Sequence, residues 1–91
     1  MAGTAAVQYK IMPESPDTNL SEILKEAKKI IESKQGAFSN SEEQPIAFGL
    51  KALTISFAFP EENEIEEIGN ALEKINGVSS AEMIDYRRAL G

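Results

Sequence analysis

The sequence contains neither cysteine nor histidine. Without cysteine, the chain has no disulfide framework and no thiol chemistry. Without histidine, it lacks the side chain that most often serves as a general base or as a ligand for a transition metal. These absences weigh against an enzyme, and we expect neither a bound metal nor a cofactor. The lack of cysteine does not by itself decide the cellular compartment.

Basic residues are also scarce. The chain has 9 lysines and arginines against 15 aspartates and glutamates, for a formal net charge of −6. This balance disfavours nucleic-acid binding, which relies on basic patches. The first residues lack the charged and apolar regions of a signal peptide, and no apolar run is long enough to span a bilayer. We therefore expect a soluble cytoplasmic protein that contacts neither nucleic acid nor a membrane directly.

Size and composition predict one folded domain. The 91 residues, of which 42% are hydrophobic, are enough for one modest core. No low-complexity tract or linker divides the chain. We therefore treat residues 1–91 as a single domain.

The first half of the chain predicts a strand, a helix and a weak edge strand. Apolar residues alternate over 6–12, so that Val7, Tyr9 and Ile11 share one face. Residues 20–34 have the apolar spacing of an amphipathic helix, with Asn19 as its cap. Residues 37–43 are polar and fit a short exposed edge strand or a loop.

The second half repeats this pattern. Residues 48–59 carry the strongest strand signal, with Leu53, Ile55, Phe57 and Phe59 on one face. Lys51 falls in phase with that row, which places it at the open end of the strand or next to a bulge at Gly49. A helix follows, capped by Asn63 and ended by Gly77. Residues 78–88 form the last predicted strand.

The predicted order is strand, helix, strand, strand, helix, strand. It indicates an α+β protein of the ferredoxin-like (βαββαβ) type, with a four-stranded antiparallel sheet and both helices on one face. This fold hosts many functions, so the fold alone does not assign one.

Three patterns could carry chemistry, and each has a simpler explanation. The glutamates of residues 61–67 suit the start of a helix better than a metal site. Glu82 and Asp85 lie three apart on a predicted strand, so we expect them on opposite faces and not as an acid–base pair. Tyr9 could stack on an RNA base, but the other sheet aromatics fall in the predicted core row.

Two features remain open. Phe48 and Gly49 follow Pro45 at the start of a predicted strand. The Phe48 side chain is either packed in the core there or exposed for contact with a partner. By local pattern alone packing is favoured, since aromatics at strand entries are usually buried. Arg87 and Arg88 close an otherwise acidic chain, and the simplest reading is a solvated tail.

Three segments of the chain resemble the elongation factor 1-beta family, in its archaeal members and in the exchange domain of the eukaryotic factors. They are "MPESPD" (12–17), "EEQPIAFGLKAL" (42–53) and "INGVSSAEMIDYRR" (75–88). The resemblance implies a ferredoxin-like guanine nucleotide exchange factor, not an enzyme, whose partner is the GTPase elongation factor 1-alpha. The oligomeric state is not implied.

The resemblance also implies site residues. The phenylalanine of the family's "FG" pair enters a pocket on the GTPase, which corresponds to Phe48 beside Gly49 here. A basic residue near the C-terminus reaches the partner's magnesium and phosphate site; it aligns with Arg88, or with Arg87 if the register slips by one. Where eukaryotic members carry a lysine, this chain has an arginine. The arginine guanidinium is planar and spreads its charge over several N–H donors, whereas the lysine ammonium is a compact point charge.

The competing hypothesis is a non-catalytic ligand-sensing regulatory module of the same fold. A small metabolite bound tightly, with no effect on GDP release, would favour it. For the exchange hypothesis, we expect an exposed Phe48 ring and a basic tail close enough to act on the same partner.

Overall fold

The structure is a computed structural model that describes residues 3–88. Its elements follow the predicted order, with one 3₁₀ turn, Ala47–Gly49, between the second and third strands. The helices and strands are β1 (Thr4–Pro13), α1 (Leu20–Ser33), β2 (Ala37–Pro45), β3 (Lys51–Pro60), α2 (Ile65–Glu73) and β4 (Val78–Arg88). The weakly predicted segment after α1 is thus a strand, two residues longer than expected.

The four strands form one sheet in the order β2-β3-β1-β4, with every neighbouring pair antiparallel. Both helices pack on the same face of this sheet, because their buried residues join one apolar cluster with those of β1 and β3. The predicted ferredoxin-like fold is confirmed. Among the residues that the structure describes, no helix packs on the opposite face, called the open face below. Within residues 3–88, neither helix combines the length and apolar character needed to cross a bilayer.

Alternate residues of the two central strands build the core. The predicted inner rows are confirmed, since all of their members are buried: Val7, Tyr9 and Ile11 on β1, and Leu53, Ile55, Phe57 and Phe59 on β3. The helices contribute Ile23, Ala27, Ile31, Ile68 and Leu72. Each large apolar side chain buried in this way contributes about 1.5–3 kcal/mol. Lys51 is exposed at the first position of β3, as expected for the open end of that strand.

The N-terminal cap of α1 is the predicted residue, whereas that of α2 is not. Asn19 caps α1, where its Oδ1 accepts hydrogen bonds from the backbone N–H groups of Ser21 (3.0 Å) and Glu22 (3.3 Å). The predicted cap at Asn63 is wrong, because Glu64 holds the cap position of α2. Asn63 instead donates through Nδ2 to the carbonyl oxygen of Lys34 (3.1 Å). It therefore joins the loop before α2 to the end of α1.

Gly69 lets α2 approach the sheet closely. A Cβ atom at this position would lie 3.0 Å from Oη of Tyr9 and 3.3 Å from Cε2 of the same ring. The Tyr9 side chain is buried between the sheet and α2, so its ring is not available to stack on a base. Burial raises the pKa of the Tyr9 phenol, and the nearby carboxylates of Glu66 and Glu73 raise it further.

Candidate partner-binding site

The turn before β3 holds Phe48 in a left-handed conformation. Phe48 has φ 64° and ψ 28°, and Gly49 follows with φ 75°. Two backbone hydrogen bonds close the turn, from Ile46 N–H to the carbonyl oxygen of Leu50 (2.8 Å) and from Leu50 N–H to that of Ala47 (3.3 Å). The prediction that the strand begins at residue 48 is therefore wrong. The consecutive positive φ angles of Phe48 and Gly49 take the chain out of the extended conformation, which resumes at Leu50, and β3 begins at Lys51.

The Phe48 side chain is 91% exposed, well above any other large apolar side chain among residues 3–88. The packing interpretation, which local pattern favoured, is wrong. A phenylalanine gains nothing for the fold at this exposure, and a left-handed conformation is unfavourable for any residue with a Cβ atom. An exposed aromatic ring held in an unfavourable conformation is typical of a residue that contacts a partner.

The Phe48 turn lies against the loop that joins β1 to α1. A Cβ atom at Gly49 would sit 3.9 Å from Cβ and Cγ of Pro16. Gly49 and Lys51 line a groove together with Pro13, the last residue of β1, and with Ser15 and Pro16 of that loop. The contact between these two segments was not predicted, because they are more than thirty positions apart and share no periodicity. The groove is therefore lined by the residue that follows Phe48 and not by Phe48 itself.

The two arginines end β4, and both are exposed. The side chain of Arg87 is 80% exposed, with its Nε 3.2 Å from Oδ2 of Asp85. That of Arg88 is 79% exposed, with its Nε 3.3 Å from Oε1 of Glu61. Exposed ion pairs of this kind contribute about 0–1 kcal/mol, so either guanidinium can exchange its partner at little cost. Residues 89–91 lie outside the described part of the chain.

The sheet places Phe48 and the arginines at opposite ends. β3 begins next to the end of β1, where Leu53 pairs with Ile11, whereas Arg88 pairs with Ala5 near the start of β1. The ten residues of β3 separate the two ends by about 30 Å at 3.3 Å per residue. The basic tail was expected close enough to Phe48 to act on the same partner. It lies at the far end of the sheet instead, which counts against that expectation, because the ring and the cations cannot contact the same point of a partner.

Glu82 and Asp85 lie on the same face of the sheet, contrary to the expectation. Glu82 pairs with Lys10 and Asp85 with Gln8, two residues of β1 that share the open face. The register shift between Gln8 and Tyr9 leaves one extra residue in β4. Because of this bulge, Glu82 and Asp85 lie on the same face although they are three positions apart. Asp85 is paired with Arg87 there. No group of three or more possible metal ligands occurs among residues 3–88.

The fold and the exposed phenylalanine define a class: a small ferredoxin-like domain with an exposed aromatic side chain at one end of its sheet. Comparison with known proteins then gives the family. Residues 6–88 match the EF-1 guanine nucleotide exchange domain, and the chain therefore belongs to the EF-1 guanine nucleotide exchange domain family.

Several proteins named elongation factor 1-beta are similar to this chain over nearly its whole length. The protein of Methanosarcina barkeri is 38% identical over 87 residues, which cover 94% of this chain and 98% of that protein. The protein of Methanobrevibacter smithii is 40% identical over 89 residues, with 97% and 99% covered. The protein of Nanoarchaeum equitans is 38% identical over 82 residues, with 88% and 99% covered. The predicted resemblance is confirmed.

Proposed function

We propose that this chain is a translation elongation factor that promotes exchange of GDP for GTP on elongation factor 1-alpha, with residues 1–91 acting as a single exchange domain. Membership of the exchange-domain family and similarity to proteins named elongation factor 1-beta support this assignment. The observation that carries it at the level of residues is the 91% exposure of the Phe48 ring.

Exchange of this kind requires differential binding and no covalent step. The factor must bind the nucleotide-free GTPase more tightly than the nucleotide-bound form, because a ligand shifts an equilibrium only by its preference between two states. Linkage then requires GDP and GTP to weaken the binding of the factor by the same ratio. The magnesium ion and the phosphates hold the nucleotide, so disturbing their contacts on the GTPase is the direct way to create this preference.

Phe48 supplies the anchor in this mechanism. Buried aromatic rings are among the side chains that contribute most to binding, and removal of such an anchor typically costs 2 kcal/mol or more. The two backbone hydrogen bonds of the turn hold residues 46–50 in place before the partner arrives. Less conformational entropy is then lost on binding. Gly49 contributes by adopting a positive φ at no steric cost.

Arg87 or Arg88 supplies a cation directed at the magnesium and phosphate site. A positive group near that site competes with the ion by repulsion and attracts the phosphates released from it. Because the arginines lie about 30 Å from Phe48 along the sheet, the domain must rest lengthwise on the GTPase. Its dimensions of 45 × 20 × 17 Å allow two separate contacts in this orientation.

The experiment that tests the function measures release of fluorescent GDP from the cognate elongation factor 1-alpha. We expect the full chain to accelerate release with a saturating dependence on its concentration. No acceleration at saturating concentration would overturn the assignment. Arg87→Ala and Arg88→Ala, compared in the same assay, show which arginine acts, since only loss of the acting cation lowers the saturated rate. Lys29→Ala, at an exposed position on α1, is the control.

A further inference from the structure

The two arginines at the end of β4 lie on opposite faces of the sheet. Beyond Ile84, the extra residue of its bulge, β4 pairs regularly with β1. Arg88 stands opposite Ala5, which is buried, so the Arg88 side chain starts on the helix side of the sheet. Arg87 stands opposite Ala6 on the open face. The two guanidinium groups therefore have different surroundings.

Arg88 is paired with a residue from a different part of the chain. Glu61 directly follows β3, and its Oε1 lies 3.3 Å from Nε of Arg88. The backbone N–H of Glu61 donates to the carbonyl oxygen of Gly3 (3.0 Å), which fixes this loop next to the start of β1. The Glu61 side chain is 24% exposed. Because β1 lies between β3 and β4, the ion pair spans the central strand at the end of the sheet.

The ion pair of Arg87 is local by comparison. Asp85, whose Oδ2 lies 3.2 Å from Nε of Arg87, is two positions earlier on the same strand, and its side chain is 40% exposed. That pair restrains Arg87 relative to its own strand. Glu61, in contrast, restrains Arg88 relative to the loop after β3 and the start of β1. Arg88 is therefore the cation that is better fixed relative to the domain.

The contact at Nε leaves the outer edge of the Arg88 guanidinium available. Arginine carries its N–H donors in a planar fork, with one donor on Nε and the others on the two terminal nitrogens. A carboxylate at Nε still allows the terminal nitrogens to make two parallel bonds to phosphate or carboxylate oxygens. A lysine has one nitrogen, which would have to contact both Glu61 and the second partner.

We propose that Glu61 is a positioning residue for Arg88. It holds the side chain at Nε and so presents the two terminal nitrogens to the phosphate and carboxylate oxygens that hold magnesium on the GTPase. An arginine that is held before binding loses less rotamer freedom when it reaches those oxygens. This inference rests on the proposed exchange function, and it assigns the acting cation to Arg88. It also gives the arginine of this chain a role that a lysine could not fill.

The saturated rate of fluorescent GDP release tests this role. Glu61→Ala should lower it roughly fivefold, the upper end of what an exposed ion pair contributes. The half-saturating concentration should not change, because Phe48 still anchors the domain. Asp85→Ala is the matched control: it removes the corresponding partner of Arg87 and should leave the rate unchanged. In an Arg88→Ala background, Glu61→Ala should have no further effect.

The possible failures of this assay are distinguishable. A wild-type chain that does not accelerate release would overturn the proposed function, and the inference with it. Normal stimulation by both wild type and Glu61→Ala would overturn the inference alone. So would a slower rate in Asp85→Ala equal to that in Glu61→Ala, since the effect would then not be specific to Arg88. Circular dichroism verifies folding of each variant.

A lysine at position 88 separates positioning from the charge of Glu61. In an Arg88→Lys background, the carboxylate competes for the single ammonium group. Glu61→Ala should then leave the saturated rate unchanged or raise it, the reverse of its effect beside Arg88. The same fractional loss in both backgrounds would overturn the proposal, because it would show that Glu61 acts without holding the guanidinium.

NMR measures the ion pair in the absence of the GTPase. The chain has two arginines, so its spectrum contains two Nε–Hε signals, and Arg87→Lys identifies them by removing one. Glu61→Ala should shift the Arg88 signal, speed the exchange of its Hε with water and leave the Arg87 signal in place. Asp85→Ala should do the reverse. An Arg88 signal that does not respond to Glu61→Ala would overturn the proposal, even if that variant slowed GDP release.

Discussion

Phe48 and Arg88 lie at opposite ends of the same sheet, about 30 Å apart along its strands. The turn that carries Phe48 precedes β3 at the end where β1 finishes, and Arg88 pairs with Ala5 where β1 starts. An aromatic anchor and a cation placed in this way cannot act at one point. The exchange mechanism proposed above therefore requires two contacts on the GTPase, one to hold the domain and one to disturb the nucleotide.

This separation predicts that the two contacts contribute independently to exchange. Effects on free energy add to within about 0.5 kcal/mol for sites more than 7–10 Å apart that share no partner group. We expect alanine substitution of the acting arginine, Arg87 or Arg88, to slow GDP release roughly tenfold, the loss typical of a hydrogen bond to a charged group. In the double variant that also carries Phe48→Ala, the rate constant should fall by the product of the two fold-reductions seen in the single variants. The measurement is the second-order rate constant of stimulated GDP release. A double variant no worse than either single variant would show that the residues act as one unit.

The turn predicts opposite effects for substitutions at its two left-handed positions. The Cβ atom of Gly49→Ala makes only an ordinary van der Waals contact with Pro16, at 3.9 Å, so the cost of the substitution comes from the positive φ. We expect a loss of about 1–2 kcal/mol in unfolding free energy, together with weaker exchange. Phe48→Gly relieves the same conformation and should keep or gain stability, by up to about 1 kcal/mol, while exchange is lost. Urea unfolding measures both, and a Gly49→Ala variant as stable as wild type would contradict the assigned turn.

The buried phenol of Tyr9 predicts a loss of stability at alkaline pH. Its pKa is raised above the usual 10.0, first by burial and then by Glu66 and Glu73. The folded protein therefore holds this proton more tightly than the unfolded chain. The resulting stability is complete below the unfolded pKa and is lost as pH rises through the folded pKa.

Unfolding free energy measured from about pH 9 to about pH 12 checks this prediction. Wild type should lose stability over this range more steeply than Tyr9→Phe, which keeps the ring but has no ionisable group. At neutral pH the two should be close, because the hydroxyl group makes only a long contact of 3.5 Å to the carbonyl oxygen of Ile65. Parallel curves for the two proteins would show that Tyr9 does not cause the alkaline loss.

Much of the fold could be predicted from the sequence because buried apolar residues recur at the regular spacing of a strand or a helix. Alternation gave the inner rows of β1 and β3, and the 3.6-residue spacing with Asn19 gave α1. The cap of α2 could not be found in this way, since Asn63 has the right side chain but bonds to Lys34 across the fold. The extra residue Ile84 was also missed, because a bulge is set by pairing between strands and not by the local pattern.

The candidate site was predicted only in part. The resemblance pointed to Phe48, whereas local propensity argued for a packed strand residue, because phenylalanine rarely adopts a positive φ. The separation of Phe48 from the arginines could have been predicted from the order of the strands and helices. In an antiparallel sheet of βαββαβ order, the loop before β3 lies beside the start of β4, not its end. The contact of the Phe48 turn with Pro16 depends on loop packing, for which the sequence carries no periodic signal.

The most direct test of the central claim, that Phe48 is a binding anchor and not a structural residue, compares stimulated GDP release by wild type and Phe48→Ala. We predict that Phe48→Ala largely abolishes the stimulation while its unfolding free energy stays within about 0.5 kcal/mol of wild type. Phe57→Ala is the matched control: its ring is buried, and its loss should cost about 3–5 kcal/mol of stability. Full exchange activity in a folded Phe48→Ala variant, or a collapse of its stability like that of Phe57→Ala, would contradict the account.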